Sequence, residues 1–239
     1  FIIKRVYKIL KYCVDNNLAN DMEIYFNTNC AQPVPEKVLD LWPHFKNIHL
    51  DLSIDDIEGR VEWIRYPIKW EQYLSFIDWC ENDSPDNVTV EMLPSIGNYN
   101  IFYFPDMLDW LAKQNYKKVN KNLGGLPNIN LVYYPDNVGI KTLPGRAKQI
   151  ILDKYQSWYS SVSKRYVCES NLEQVRNNFK WCLKRIMNLP KHIAQDDLLY
   201  SSSTIEKQYQ VFKDWNNSLD KMRGTNFYNT FPIFKEFDK

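Results

Sequence analysis

Glycine is scarce in this chain of 239 residues: there are seven, and Gly124-Gly125 is the only adjacent pair. Neither the Gly-rich dinucleotide loop nor the P-loop can be built from them. Cysteine pairs at C-x-x-C spacing are missing as well. The five cysteines, Cys13, Cys30, Cys80, Cys168 and Cys182, are odd in number and widely spaced. Local zinc and iron–sulfur sites use closely spaced thiolates, so none is expected from these residues. A disulfide framework is not expected either, and a reducing cytoplasm fits best. His44 and His49 stand five residues apart without a third ligand and are read as structural. No sign of charge dominates, with Lys plus Arg at 30 and Asp plus Glu at 29. This balance argues against nucleic-acid backbone binding. Nowhere do 18 apolar residues follow one another, so no membrane span is expected.

What is present is aromatic and periodic. Phe, Tyr and Trp make up 15% of the chain, enough for a large core or a lined cavity. Ile2, Ile3, Val6, Ile9, Leu10 and Cys13 recur at helical spacing, so a helix is predicted over about 2–16. Because the chain opens inside that helix, we expect a fragment with something upstream. Strands are predicted at 23–29, 48–55, 88–93 and 129–134. Helices are predicted after Pro33 and Pro35, over 70–80, and around Met107, Leu108, Trp110 and Leu111. Alternating strands and helices imply βα units and a parallel sheet.

Beyond about residue 145 the strand signal stops. A helix is predicted over 147–160. Capping boxes are read at Ser170 with Glu173 and at Ser203 with Glu206. Trp158, Trp181 and Trp215 lie on helical stripes and are expected in the core. Two regions are therefore expected: 1–145, a partial (βα) barrel, and 146–239, a C-terminal helical region.

Buried parallel strands usually read as continuous apolar runs; these alternate. Ile48, Leu50, Leu52 and Ile54 oppose His49, Asp51, Ser53 and Asp55. Glu23, Tyr25, Asn27 and Asn29 oppose Ile24 and Phe26, and Thr89 and Glu91 oppose Val88, Val90 and Met92. In a barrel the polar side would face the lumen and hold a ligand and water; an antiparallel sheet with one wet face is the competing explanation.

The segment LSIDDIEGRVEWIRYPIKW, residues 52–70, resembles the fourth-strand segment of radical S-adenosylmethionine enzymes, where a strand ends in Ser-x-Asp and an Arg follows about ten residues later at a helix start. Ser53, Asp55 and Arg65 occupy those places. YFNTNC resembles the family's third-strand Thr-Asn-Gly, with Thr28 and Asn29 matching and Cys30 in place of Gly. PSIGNYNIFYFPDMLDW resembles the stretch after the fifth strand, with Asn100 as the match. LPGRAKQI and SLDKMRGTNFYNTFPIF resemble the tail of the twitch-domain subgroup. The family's Cys-x-x-x-Cys-x-x-Cys and its Gly-Gly-Glu are absent, and the resemblance places both upstream of Phe1.

This resemblance implies an α/β fold, a partial TIM-like barrel of parallel strands lacking its first strands. It implies an enzyme that cleaves S-adenosylmethionine reductively at a [4Fe–4S] cluster, fed by an external electron donor, and then abstracts a substrate hydrogen. It assigns Ser53, Asp55, Arg65, Thr28, Asn29 and Asn100 to the cofactor, and Asp51 and Glu91 to the substrate side. Many relatives modify peptides, so a peptide is the substrate class suggested by analogy. Without the cluster cysteines, this chain is expected to be inactive by itself. Local chemistry leaves other roles open. Ser53 and Asp55 could close a turn. Arg65 could pair with Glu58 or Glu62. Thr28 and Asn29 could close a turn, and Asn100 could cap the following helix. The rival reading of the whole chain is a cluster-free barrel that binds a nucleotide-like ligand or a peptide.

Overall fold

A computed structural model describes residues 4–162, 168–194 and 201–239. The chain begins with α1 (Lys4–Asp15), β1 (Glu23–Thr28), α2 (Glu36–Leu39) and β2 (Asn47–Leu52). Then come α3 (Glu58–Ile64), α4 (Trp70–Asn82), β3 (Val88–Met92) and the short β4 (Ser95–Ile96). After α5 (Phe104–Gln114) and β5 (Asn130–Leu131), the rest is helical: α6 (Gly145–Val162), α7 (Glu173–Ala194), α8 (Ser202–Arg223), α9 (Phe227–Thr230) and α10 (Phe234–Phe237).

β1, β2 and β3 form one sheet in chain order, all parallel, with Tyr25 opposite His49 and Asp51 opposite Glu91. β4 and β5 make a separate two-stranded parallel pair. Among the described residues the strands close no barrel; the architecture is α/β with small parallel sheets. β1 is an edge of its sheet. The free edge of β3 is met instead by a short extended segment: Val119 bridges Val90, Asn120 N–H donates to the Val90 carbonyl, and the Asn120 side chain accepts from Met92 N–H.

The alternation places Ile48, Leu50, Leu52, Val88, Val90 and Met92 in the core. Each such side chain removed from water contributes about 1.5–3 kcal/mol. His49, Asp51, Thr89 and Glu91 lie on the opposite, half-open face, and Glu23, Tyr25 and Asn27 continue it outward on the edge strand. A single apolar cluster runs from Leu10 in α1 to Phe237 in α10, joining the strand-bearing part to the helical tail. Its aromatic centre packs Trp63 of α3 against Tyr99, Phe227 and Phe231 at ring separations of 5.2–5.5 Å.

Several expectations change. Ile2 and Ile3 lie outside the described residues. The strand expected over 48–55 stops at Leu52, because Ile54 N–H turns back to the Leu52 carbonyl. Residues 54–57 are then all buried, which ends the two-residue period. The strand expected over 129–134 shrinks to Asn130–Leu131. α3 has no counterpart among the expected helices, and Arg65 closes that helix rather than starting one. α8 is capped by Ser201, whose hydroxyl accepts from Thr204 N–H, so Ser203 sits inside the helix. Of the three tryptophans expected in the core, Trp158 is buried with its indole N–H on Asp109. Trp181 and Trp215 are about half exposed.

Candidate functional site

The C-terminal ends of β1, β2 and β3 face the same way, and ligand sites of α/β sheets sit beyond such ends. Just past β2 the chain turns inward and buries Asp55 at 5% exposure. Its carboxylate is fully engaged. Arg65 Nε donates to Oδ2 at 2.6 Å and Arg65 Nη2 to Oδ1 at 3.0 Å. Ser95 N–H, just beyond β3, donates to Oδ1 at 2.8 Å. Asn100 closes the same network. Its side-chain Nδ2 donates to the Asp55 carbonyl at 2.6 Å and to the Ser95 carbonyl at 2.9 Å, and its Oδ1 accepts from Gly97 N–H at 2.9 Å. Asn100 is thus not the cap of α5, which follows Tyr103. Arg65 pairs with Asp55 rather than with Glu58 or Glu62; Glu62 is held by Lys69 and by Trp70 N–H.

Three residues singled out by the resemblance, Asp55, Arg65 and Asn100, therefore meet across 45 residues of sequence in one bidentate, charge-assisted clamp. A small cavity of about 160 Å³ lies against it, lined by Asp55, Ser95, Gly97 and Asn100 among others. Gly97 was not singled out by sequence reasoning. A Cβ there would come within 2.8 Å of the Val138 carbonyl oxygen, so a larger residue would push the clamp away from the loop behind it. The only advance signal was the scarcity of glycine itself.

Ser53 lies outside the clamp, part-exposed, with its N–H on the Thr28 carbonyl. Thr28 and Asn29 close the turn after β1, accepting from Cys30 N–H at 3.1 Å and from Ala31 N–H at 3.2 Å. Cys30, standing where the resembling motif has glycine, takes φ +59°, the left-handed conformation that glycine adopts freely. Burial pushes its thiol well above the ordinary range, with the nearby Cys80 adding to the effect. Asn29 and Arg65 line a cleft of about 490 Å³ together with Gln32, Tyr66 and Gln72. That volume lies within the range of about 300–1,000 Å³ found for small-ligand sites.

Next to Asp55, the fully buried Asp56 pairs with Arg60 at 2.9 Å and accepts from Ile57 N–H. Sequence reasoning missed this pair. Burial pushes the Asp56 carboxyl up to about 6 against the pull of Arg60.

The polar face of the sheet is different in kind. Tyr25 and His49 stack with ring centroids 4.1 Å apart, and His49 contacts Glu23 at 3.3 Å and Asn47 at 2.8 Å. Asp51 and Glu91, directly opposite each other, accept no hydrogen bond from a described residue. Partial burial raises both carboxyls above their ordinary range, and Asp51 adds to the rise at Glu91.

The described residues hold no group of three or more His, Cys, Asp or Glu that could bind a metal ion, and Cys13, Cys30, Cys80 and Cys182 are buried as free thiols. They therefore do not fit a [4Fe–4S] cluster. No described helix is long and apolar enough to cross a membrane. No family model, curated protein or solved structure matches the chain.

Proposed function

We propose that the chain carries the strand-end cofactor pocket of a radical S-adenosylmethionine enzyme, with β1–β3 as consecutive strands of a (βα) barrel whose earlier strands would add at the β1 edge. The observation that supports the reading is the convergence of Asp55, Arg65 and Asn100 beyond the ends of parallel strands, with Asn29 beside Arg65 in one cleft. The clamp alters the roles assigned by resemblance. Asp55 and Asn100 have their side-chain groups engaged internally, so they act as positioning residues that fix the loops after β2 and β3. Contact with the adenosyl compound falls to Ser53, Asn29 and the Arg65 nitrogen not engaged by Asp55. Asp51 and Glu91 remain on the substrate side, on the open polar face. No cluster-dependent step is assigned to these residues; the cofactor chemistry, where it operates, needs thiolates outside the described ones.

Calorimetric titration of the chain with S-adenosylmethionine and S-adenosylhomocysteine tests this. Saturable binding of both is expected, weakened roughly 3- to 10-fold by Ser53→Ala, the worth of one hydrogen bond. A folded chain that binds neither compound overturns the reading. Adenosine binding as tightly as either would favour the cluster-free nucleotide-binding module instead.

A further inference from the structure

A second concavity lies on the helix side of the sheet and adjoins the Arg65 cleft, sharing Ala31, Gln32 and Gln72 with it. It is a groove of about 550 Å³ between the loop after β1 and one face of α4. Gln72, Ser75, Phe76 and Trp79 line it from the helix, at the i, i+3, i+4, i+7 spacing of a single helical face. Cys30, Pro33 and Val34 line it from the loop. The floor of Cys30, Val34 and Phe76 is buried and apolar, and the half-buried Trp79 forms one wall.

The groove is preformed. Gln72 Nε2 donates to the Ala31 carbonyl at 3.1 Å while its Oε1 accepts from Lys69 N–H at 2.9 Å, tying loop to helix. The Thr28 and Asn29 side chains fix the turn from below. A site held in place in this way loses little to ordering when it is filled.

Its charge is one-sided. Among the described residues lining it there is no lysine or arginine, and Glu71 on the rim is the one carboxylate. The nearby Lys69 ammonium is engaged by Glu62 at 2.9 Å and feels Glu71 more weakly. Glu71 is exposed, so it offers a cation the modest attraction of a surface ion pair, while a tryptophan wall favours ring or cation contact. We propose that this groove is a binding site for a small apolar primary amine, its body on Val34, Phe76 and Trp79 and its ammonium at Glu71.

Two isosteric probes test the proposal, 2-phenylethylamine and its neutral analogue 2-phenylethanol. Each is titrated into the ¹⁵N-labelled chain, and the Trp79 indole N–H is followed after assignment by its loss in Trp79→Phe. The amine should shift Trp79 and the amides of residues 30–34 saturably, and bind more tightly than the alcohol. Glu71→Gln should remove that preference, roughly twofold to fivefold, the size of one exposed ion pair, and leave alcohol binding unchanged. Ser75→Trp, placed on the exposed side of α4, should fill the groove and abolish the shifts while the rest of the spectrum stays native. Equal affinity for amine and alcohol, shifts that survive Ser75→Trp, or no shifts at Trp79 would each overturn it. So would concentration-dependent self-association that Ser75→Trp abolishes, because the groove would then be covered by a second copy of the chain.

Discussion

The two polar regions of this molecule are built from similar residues and do opposite things with them. Beyond the strand ends, Asp55 is buried and every oxygen of its carboxylate has a donor, as does the amide of Asn100. On the open face of the sheet, Asp51 and Glu91 are half-buried, opposite one another, and accept nothing from the described residues. Burial without compensation costs a charged group dearly, so the deep site had to be closed by Arg65 and backbone N–H groups. The shallow site tolerates unpaired carboxylates because water still reaches them. A satisfied network holds geometry; an unsatisfied pair retains capacity to bind.

Breaking the clamp should have the largest effect. Asp55→Ala leaves Arg65 without its partner and should cost about 3–4 kcal/mol, the lower part of the range for a broken buried pair because Arg65 is partly exposed. Urea unfolding measures it; a loss under about 0.5 kcal/mol together with lost adenosyl binding would make Asp55 a direct ligand contact instead. Next is a pH effect at Asp56, whose carboxyl rises from 3.8 to about 6 on folding. The folded state holds this proton more tightly than the unfolded one. The contribution is therefore most favourable below pH 4 and is lost as the pH rises toward 6, on a scale of about 3 kcal/mol. Asp56→Asn should remove that falling component from the stability–pH curve, and parallel curves for the two proteins would contradict it.

Asn100→Ala strips three hydrogen bonds from the clamp and leaves the Gly97 N–H and two carbonyls unsatisfied, at a cost of about 2–3 kcal/mol by the same assay. The smallest effect belongs to the open face. Asp51→Asn removes a like charge opposite Glu91 and should stabilise the chain at neutral pH by about 0.5 kcal/mol. Destabilisation there would mean that the pair shares a proton or a partner, and the contrast between the two regions would narrow.

The period-two runs in 23–29, 48–55 and 88–93 announced three strands and, as far as Leu52 in the second, their facing and a polar side, because alternation is a local property of a half-buried strand. The helical character of the tail was legible from its apolar spacing, but the start of α8 and the short α9 and α10 were not. Nor was the short β4, since a two-residue strand carries no period and exists only because it pairs; β5 was expected, but over 129–134 rather than its two residues. α3 escaped notice because its start, Glu58 at φ +53° followed by Gly59, bears no capping signal.

By itself the sequence determined which residues alternate and that the chain beyond about 145 is helical, and it singled out Ser53, Asp55, Arg65 and Asn100 only through a resemblance. Only the tertiary structure decided what those residues do. The turn after Leu52 sends Asp55 into the core, away from the face shared by His49 and Asp51, and a buried carboxylate must find its donors wherever the fold supplies them. Those donors come from 10 and 40 residues along the chain, and the donor to the Asp55 backbone carbonyl from 45, distances across which no local pattern in a sequence can specify a contact.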